Sequence, residues 1–341
     1  MRPAIDRIVE ELPCPDADVL TEARRIVPDP AAHADCLKRI DAFSLLEQRP
    51  PRQAASCSGR LRVAALNAER LARPDAVRRF MDQARVDVIL LSEADVGMAR
   101  SGNVHTIRQL AGVRDEGYVF GVEFVELDLG DGEEMRRHAG ERNACGLHGN
   151  AIVTAHALDR PYLIPLDESG LWFKGFDGAQ RRIGGRMAIA ARLRDAPSPL
   201  WLVSVHLESK TDPADRQNQI RTLLRALEQI APGEACIIGG DCNTKALPRG
   251  EGERMLLLDE PERFEPLFTD LRRAGFGWAD ANRAVPTQRD GPSKTHPRPF
   301  GKLDWFFTRG ASVDNPQVVP SLDPQGRPVS DHEMITLDIV L

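Results

Sequence analysis

The stretch Ala235-Cys236-Ile237-Ile238-Gly239-Gly240-Asp241-Cys242-Asn243-Thr244 reads as a short buried strand that ends in reactive groups. Its β-branched pair, Ile237 and Ile238, suits a covered, pleated surface. The two glycines predict a sharp backbone turn that brings Asp241 and Asn243 out at the strand's end. Ligand sites in α/β folds gather at such ends. A carboxylate followed two residues later by an amide suits phosphoryl transfer, since one group can orient an attacking water while the other donates to a phosphate oxygen. The plain alternative is an Asx-turn closing a strand, and the rest of the chain decides between the two.

The chain has 341 residues, 42% of them hydrophobic, enough for one large α/β domain or two ordinary ones. A net charge of −6 argues against a protein that binds by coating nucleic-acid backbone with a broad basic surface, though not against a local basic cleft. The six cysteines, Cys14, Cys36, Cys57, Cys145, Cys236 and Cys242, include no Cys-x-x-Cys pair. They read as reduced thiols rather than a zinc or redox site. With neither a signal peptide nor a run long enough to span a membrane, the expected location is cytoplasmic.

Outward from the opening strand, residues 1–58 predict an N-terminal helical extension, with Leu20, Ala23, Ile26, Leu37, Ile40, Phe43 and Leu46 at helical spacing and breaks at Pro28 and Pro30. Residues 59–341 predict the main domain, in which strands alternate with helices. Leu61–Leu66 ends in Asn67, and Val88–Leu91 delivers Glu93 and Asp95. Gly146–Thr154 carries His148 and Asn150, and Leu200–Val205 delivers His206. Lys302–Phe307 contains Asp304, and Ser330-Asp331-His332 precedes a last strand at Glu333–Val340. Strands outnumber helices, so two sheets packed face to face with helices outside suit the pattern better than a doubly wound parallel sheet.

Asn67, Glu93, Gly149-Asn150-Ala151-Ile152, Val205-His206-Leu207, Gly240-Asp241-Cys242-Asn243, Lys302-Leu303-Asp304-Trp305 and Ser330-Asp331-His332, in that order, resemble the endonuclease/exonuclease/phosphatase superfamily. The resemblance runs from about residue 61 to the end of the chain. It implies a four-layered α/β/β/α sandwich of two mainly antiparallel sheets, with a divalent metal, magnesium or manganese, at the sheet ends. By the same resemblance Glu93 is the principal metal ligand, with Asn67 and Asp331 beside it. Asp241 positions or deprotonates the attacking water, and Asn243 holds a phosphate oxygen. Asp304 orients His332, whose imidazole contacts the scissile phosphate, and His206 is a second phosphate-contacting imidazole. Hard oxygen ligands suit magnesium or manganese, whereas zinc would recruit more His or Cys. A carboxylate that fixes one imidazole nitrogen leaves the other for the phosphoryl oxygens or a leaving group.

Asn150 and Arg186 are the expected substrate contacts, Asn150 with a turn-satisfying role as its alternative and Arg186 as the member of Arg181, Arg182 and Arg186 that faces the site. His148 reads as structural, Asp95 as a cap with a metal neighbour as its alternative, and Glu208 and Lys210 as a solvated rim or a mutual pair. Trp172, Phe173 and Phe176 either pack in the core or flank the cleft. The function implied is metal-dependent hydrolysis of phosphodiesters, nucleic acid among the candidate substrates. Phosphomonoesters, or lipid and small-molecule diesters, are the alternatives. A dinuclear calcineurin-like site is disfavoured because Ala151, not His, follows Gly149-Asn150. A non-catalytic binding module is disfavoured because Glu93, Asp241, Asp304 and His332 are all present. No protein partner and no membrane span are expected.

Overall fold

The computed structural model describes residues 2–25, 29–57, 59–167 and 180–341; Ile26, Pro28, Trp172, Phe173 and Phe176 lie outside them. Two sheets carry the chain. The larger runs in the order β1 (Ile8–Val9), β2 (Leu46–Arg49), β5 (Gly117–Glu126), β6 (Leu147–Thr154), β4 (Val88–Val96), β3 (Arg60–Asn67), β14 (Met334–Val340) and β13 (Ser312–Val319), with β8 (Arg182–Gly184) also paired to β5. The smaller runs β12 (Asp304–Arg309), β11 (Ala235–Asp241), β10 (Leu200–His206), β9 (Met187–Leu193) and β7 (Leu158–Pro165). Pairing is mainly antiparallel. The β1/β2, β3/β4 and β10/β11 pairs are parallel, the last two each joined by a crossover helix, Pro74–Ala84 and Pro213–Ile230.

Alternation along the strands builds four layers. On β3, Val63 and Ala65 face the smaller sheet, and Ala64 and Leu66 face the helix bearing Val77, Phe80 and Met81. On β11, Ile237 points between the sheets, while Cys236 and Ile238 meet Ile220, Leu223 and Leu227 of the other crossover helix. The three resulting hydrophobic layers, helix on sheet, sheet on sheet and sheet on helix, are the α/β/β/α sandwich expected.

Several local expectations are corrected. Gly239 and Gly240 do not turn the chain, for β11 passes through both to Asp241. They are small because neighbours press close: a Cβ at Gly239 would lie 2.6 Å from the Phe306 ring, and one at Gly240 2.0 Å from the Val205 carbonyl oxygen. β4 does not stop before Glu93 but continues to Val96 through a bulge between Leu91 and Ala94. Residues 1–58 hold the helices Ala17–Ala23 and Pro30–Arg39, yet Leu46 opens a strand, and β2 pairs with β5 in the larger sheet. A boundary at residue 58 therefore cuts through one continuous sheet. β13 escaped the sequence reading because Asp314, Asn315 and Pro316 interrupt its apolar pattern, which only an edge strand tolerates. Not all six cysteines are thiols either. The N-terminal segment lies across the loop before β6 and brings Cys14 to Cys145 at a Cα separation of 4.8 Å, where the two are bonded; Cys36, Cys57, Cys236 and Cys242 are free and buried. The cysteines thus no longer argue for a reducing compartment.

Glu47 of β2 locks this N-terminal part down. Its buried carboxylate accepts from the Leu12 backbone N–H (2.9 Å), Tyr118 hydroxyl (2.5 Å), Arg108 (3.0 Å) and His105 Nε2 (3.0 Å). Against the opposing effect of burial, these donors, His105 foremost, hold its pKa down at about 2. The folded value lies below the ordinary 4.5, so this stabilisation is complete above pH 4.5 and disappears as the pH falls towards 2. Glu47→Gln is therefore expected to lower unfolding stability by about 2–3 kcal/mol at pH 7, with the difference from wild type shrinking below pH 4.5 in urea titrations. A pH-independent difference would show that the charge is not the source.

Candidate active site

The strand register assembles the site. His206 ends β10 opposite Asp241 at the end of β11, and Asp241 stands opposite Asp304 at the start of β12. From the other sheet, Asn67 ends β3 opposite Ser92, one residue before Glu93. Glu93 adopts a left-handed φ of 57° at its bulge, which turns its carboxylate out of the normal alternation.

Asn67 ties the halves together: its Nδ2 donates to Glu93 Oε1 at 3.2 Å and to Asp241 Oδ2 at 3.1 Å. Asp241 is buried and firmly oriented. Its Oδ1 accepts from the Asn243 backbone N–H at 2.9 Å and its Oδ2 from Asn243 Nδ2 at 3.2 Å, while His206 Nε2 and His332 Nε2 each stand 3.6 Å from Oδ2. Burial raises the Asp241 pKa, with His332 opposing and Asp304 reinforcing. His332 Nδ1 donates to Asp304 Oδ2 at 2.8 Å. Against burial, Asp304 and Asp241 hold the imidazole pKa well above the ordinary 6.5, so it carries a proton at neutral pH. The second Asp304 oxygen, Oδ1, is buried without a hydrogen-bond partner. Asp241, Asp304 and His332 offer ligand atoms within 4.8 Å of one another.

Asp331 accepts from His296 Nε2 at 3.0 Å. Glu69, which sequence reasoning missed, stands near it. A Cβ at Gly291 would lie 2.6 Å from both Glu69 Oε2 and Asp331 Cβ, and that Glu69 oxygen is buried with no hydrogen-bond partner. Burial, with Asp331 and Glu93 adding to it and Lys294 and Arg70 opposing, pushes the Glu69 carboxyl up to about 7. The only signal in the sequence was an acid two residues after Asn67. A cleft of about 330 Å³ opens here, lined by Glu69, Arg70, Arg73, Glu134, Arg137 and Lys294 among others. Neither this cleft nor a hollow of about 660 Å³ beyond Pro74 is lined by a site residue expected from the sequence; the cleft reaches the site through Glu69.

Two expected substrate contacts are engaged within the protein. Asn150 donates to the Met187 carbonyl at 3.1 Å across the sheets, while its Oδ1 is buried without a hydrogen-bond partner. Arg186 is buried between two carboxylates that sequence reasoning did not pair with it. It contacts Glu123 and reaches Glu208 Oε2 at 2.9 Å, and its Nη1 lies 2.8 Å from His206 Nδ1. Glu208 is thus buried rather than on a solvated rim, and besides Arg186 it accepts the backbone N–H of Lys210 on Oε1 at 2.9 Å. Asp95 caps nothing; it binds Arg100 at 2.8 and 3.0 Å and His148 at 2.7 Å, which leaves His148 structural.

Residues 61–332 match the Endonuclease/Exonuclease/phosphatase family. The chain belongs to that family. Members of the endonuclease/exonuclease/phosphatase superfamily are hydrolases of phosphoester bonds, and the family generally uses divalent metals. Its fold is shared by an endonuclease/exonuclease/phosphatase from Beutenbergia cavernae (TM-score 0.55, 17% identity, 83% of this chain and 72% of that one). It is shared too by the human Nocturnin catalytic domain with bound sulfate anion (0.54, 17%, 86% and 99%). Truncated Caenorhabditis elegans TDP2 is a third such structure (0.51, 15%, 83% and 98%). No curated protein sequence matches the chain.

Removing Arg186 would leave Glu123 and Glu208 as buried, uncompensated charges. Arg186→Met is expected to cost about 3–5 kcal/mol in urea unfolding. Stability within about 0.5 kcal/mol of wild type, the range of a surface change, would return Arg186 to the substrate.

Proposed function

We propose that the chain is a divalent-metal-dependent phosphodiesterase in which a water positioned by Asp241 attacks the phosphorus. The observation that carries this reading is the Asp241 carboxylate itself, buried, fixed by Asn67 and Asn243, and flanked by two imidazoles at 3.6 Å. Its fixed carboxylate accepts a hydrogen bond from the water and takes its proton as the P–O bond forms. Asn243 Nδ2 donates to the Leu207 carbonyl (3.0 Å) as well as to Asp241, so its amide is pre-oriented beside the phosphate. Asp304 fixes His332 through Nδ1, and Nε2–H is left to stabilise a phosphoryl oxygen or protonate the leaving group. His206, steadied by Arg186 and Glu123, presents its Nε2 on the other side of Asp241.

Glu93, Asn67 and Asp331 would hold magnesium or manganese, with Glu69 as a further oxygen ligand. The fit rests on chemistry: all four are hard oxygen donors, and Glu69 Oε2 is buried with no partner. A bound magnesium or manganese ion would neutralise charge on the phosphate and polarise its P–O bonds. Asp241, Asp304 and His332 are close enough to hold a cation, but with Nδ1 donating to Asp304 and the imidazole held protonated by Asp304 and Asp241, Nε2 carries the second proton and has no lone pair for a metal. That triad is better suited to proton handling. Arg73, Arg137 and Lys294 line the cleft beside the acids and suit a substrate carrying phosphates, such as nucleic acid, a nucleotide or a phospholipid headgroup.

The purified chain is expected to hydrolyse bis-p-nitrophenyl phosphate faster than p-nitrophenyl phosphate, with magnesium or manganese required. Asp241→Asn is expected to lower turnover by about 10²–10⁴-fold with metal affinity retained; unchanged turnover in the folded variant would remove Asp241 from the reaction. Glu93→Gln should raise the metal concentration for half-maximal rate by about tenfold or more, and an unaltered requirement would contradict the ligand set.

A further inference from the structure

Arg70 is placed unusually for a residue between two groups of metal-ligating type. Glu69, Arg70 and Leu71 have consecutive φ values of 43°, 71° and 48°, a left-handed run without a glycine. Non-glycine residues persist there only where the surroundings over-determine them. The run rotates Glu69 and Arg70 inward. Arg70 Nη1 contacts Glu93 Oε2, and its Nε donates to Glu134 Oε1 at 3.1 Å. Glu134 is itself fixed: its Oε2 accepts the Asp131 backbone N–H at 2.7 Å in a capping box that starts the helix Gly132–Arg137, and it takes Arg100 Nη1 at 3.0 Å. Both oxygens of Glu93 are thereby engaged, Oε1 by Asn67 and Oε2 by Arg70.

We propose that Arg70 is a built-in cation on Glu93 that competes with the divalent metal for this carboxylate, and that Glu134 is the anchor keeping its guanidinium in place. The inference rests on the proposed metal role of Glu93. A guanidinium in contact with a half-buried carboxylate neutralises much of the charge a metal would use, and away from bulk water this loss is incompletely screened. Arg70 therefore sets the metal affinity as a positioning residue without belonging to the ligand set. Its tie to Glu134 links that affinity to the charged segment around residues 131–138, part of the cleft wall. A substrate phosphate that draws Arg70 off Glu93 would raise metal affinity in the same event, so phosphate and metal would bind cooperatively.

The test is calorimetric titration of the full chain with manganese at pH 7.5, with melting temperature against manganese concentration as a second readout. Arg70→Gly removes the charge and suits the left-handed backbone, so the variant should fold. It is expected to bind manganese at least tenfold more tightly than wild type. Arg70→Lys, which keeps the charge, should stay within threefold of wild type, and Glu93→Gln added to Arg70→Gly should abolish the gain. Equal or weaker binding by Arg70→Gly would overturn the proposal while leaving a metal-binding wild type, and hence the functional reading, intact. If wild type binds no manganese and Arg70→Gly does, the competition stands and wild-type metal dependence falls. If neither binds, both fall.

Discussion

One register constraint underlies the site: β10 runs parallel to β11, which runs antiparallel to β12, so that His206, Asp241 and Asp304 share one row. Hydrogen-bonded neighbours in a sheet stand about 4.8 Å apart. Three polar side chains at that spacing need no loop to find one another. A slip of one residue in β11 would send Asp241 to the opposite face and bring Ile237 out of the inter-sheet core. The same hydrophobic alternation that stabilises the sandwich therefore fixes where the acid stands. Gly239 and Gly240 belong to this constraint, since any larger residue there would push β11 away from Phe306 or Val205.

The groups attached to this row divide the work by burial. Asp241 is raised by burial with His332 opposing, and the His332 imidazole is held charged by Asp304 and Asp241 against its own burial. Glu123 and Glu208 with Arg186 and Arg182 form a support behind His206 in which two negative and two positive charges compensate within the protein. Such a support stiffens the imidazole but has little charge left for a ligand. Near the cleft, Glu69, like Glu123, keeps a buried oxygen without a partner, and there the charges of Asp331 and Glu93 add to burial in raising its pKa. Carboxylates gathered in this way favour a cation among them.

Much of this was legible in the sequence where a signal is local. Strand ends at Asn67, His206 and Asp241 could be read because an apolar run stops and a polar residue follows within one or two positions. The sandwich could be read because strands outnumber helices. The supporting charges could not, since Arg186 meets Glu123 across 63 residues and neither carries a mark of its partner. Asn150 looked like a ligand because it sits in a familiar tetrapeptide, but its side chain spends its donor on a backbone carbonyl of the facing sheet. Glu69 and Arg70 were invisible for another reason: their left-handed backbone comes without the glycine that normally announces it. The N-terminal strands were hidden because β2 is four residues long and follows a helical pattern.

Asn67 has a consequence that reaches beyond hydrogen bonding. Its amide spans from Glu93 on one sheet to Asp241 on the other, so it works as a gauge of the gap between them. That gap is set by the side chains packed between the sheets, Ala65, Leu90, Ile189, Ile237 and Phe306 among them. Protein interiors are close-packed, and a change of one methylene is felt by its neighbours. The thickness of an apolar layer thus tunes the separation of the carboxylate on one sheet from that on the other, and evolution could adjust the chemistry of this chain by resizing residues that never meet its substrate.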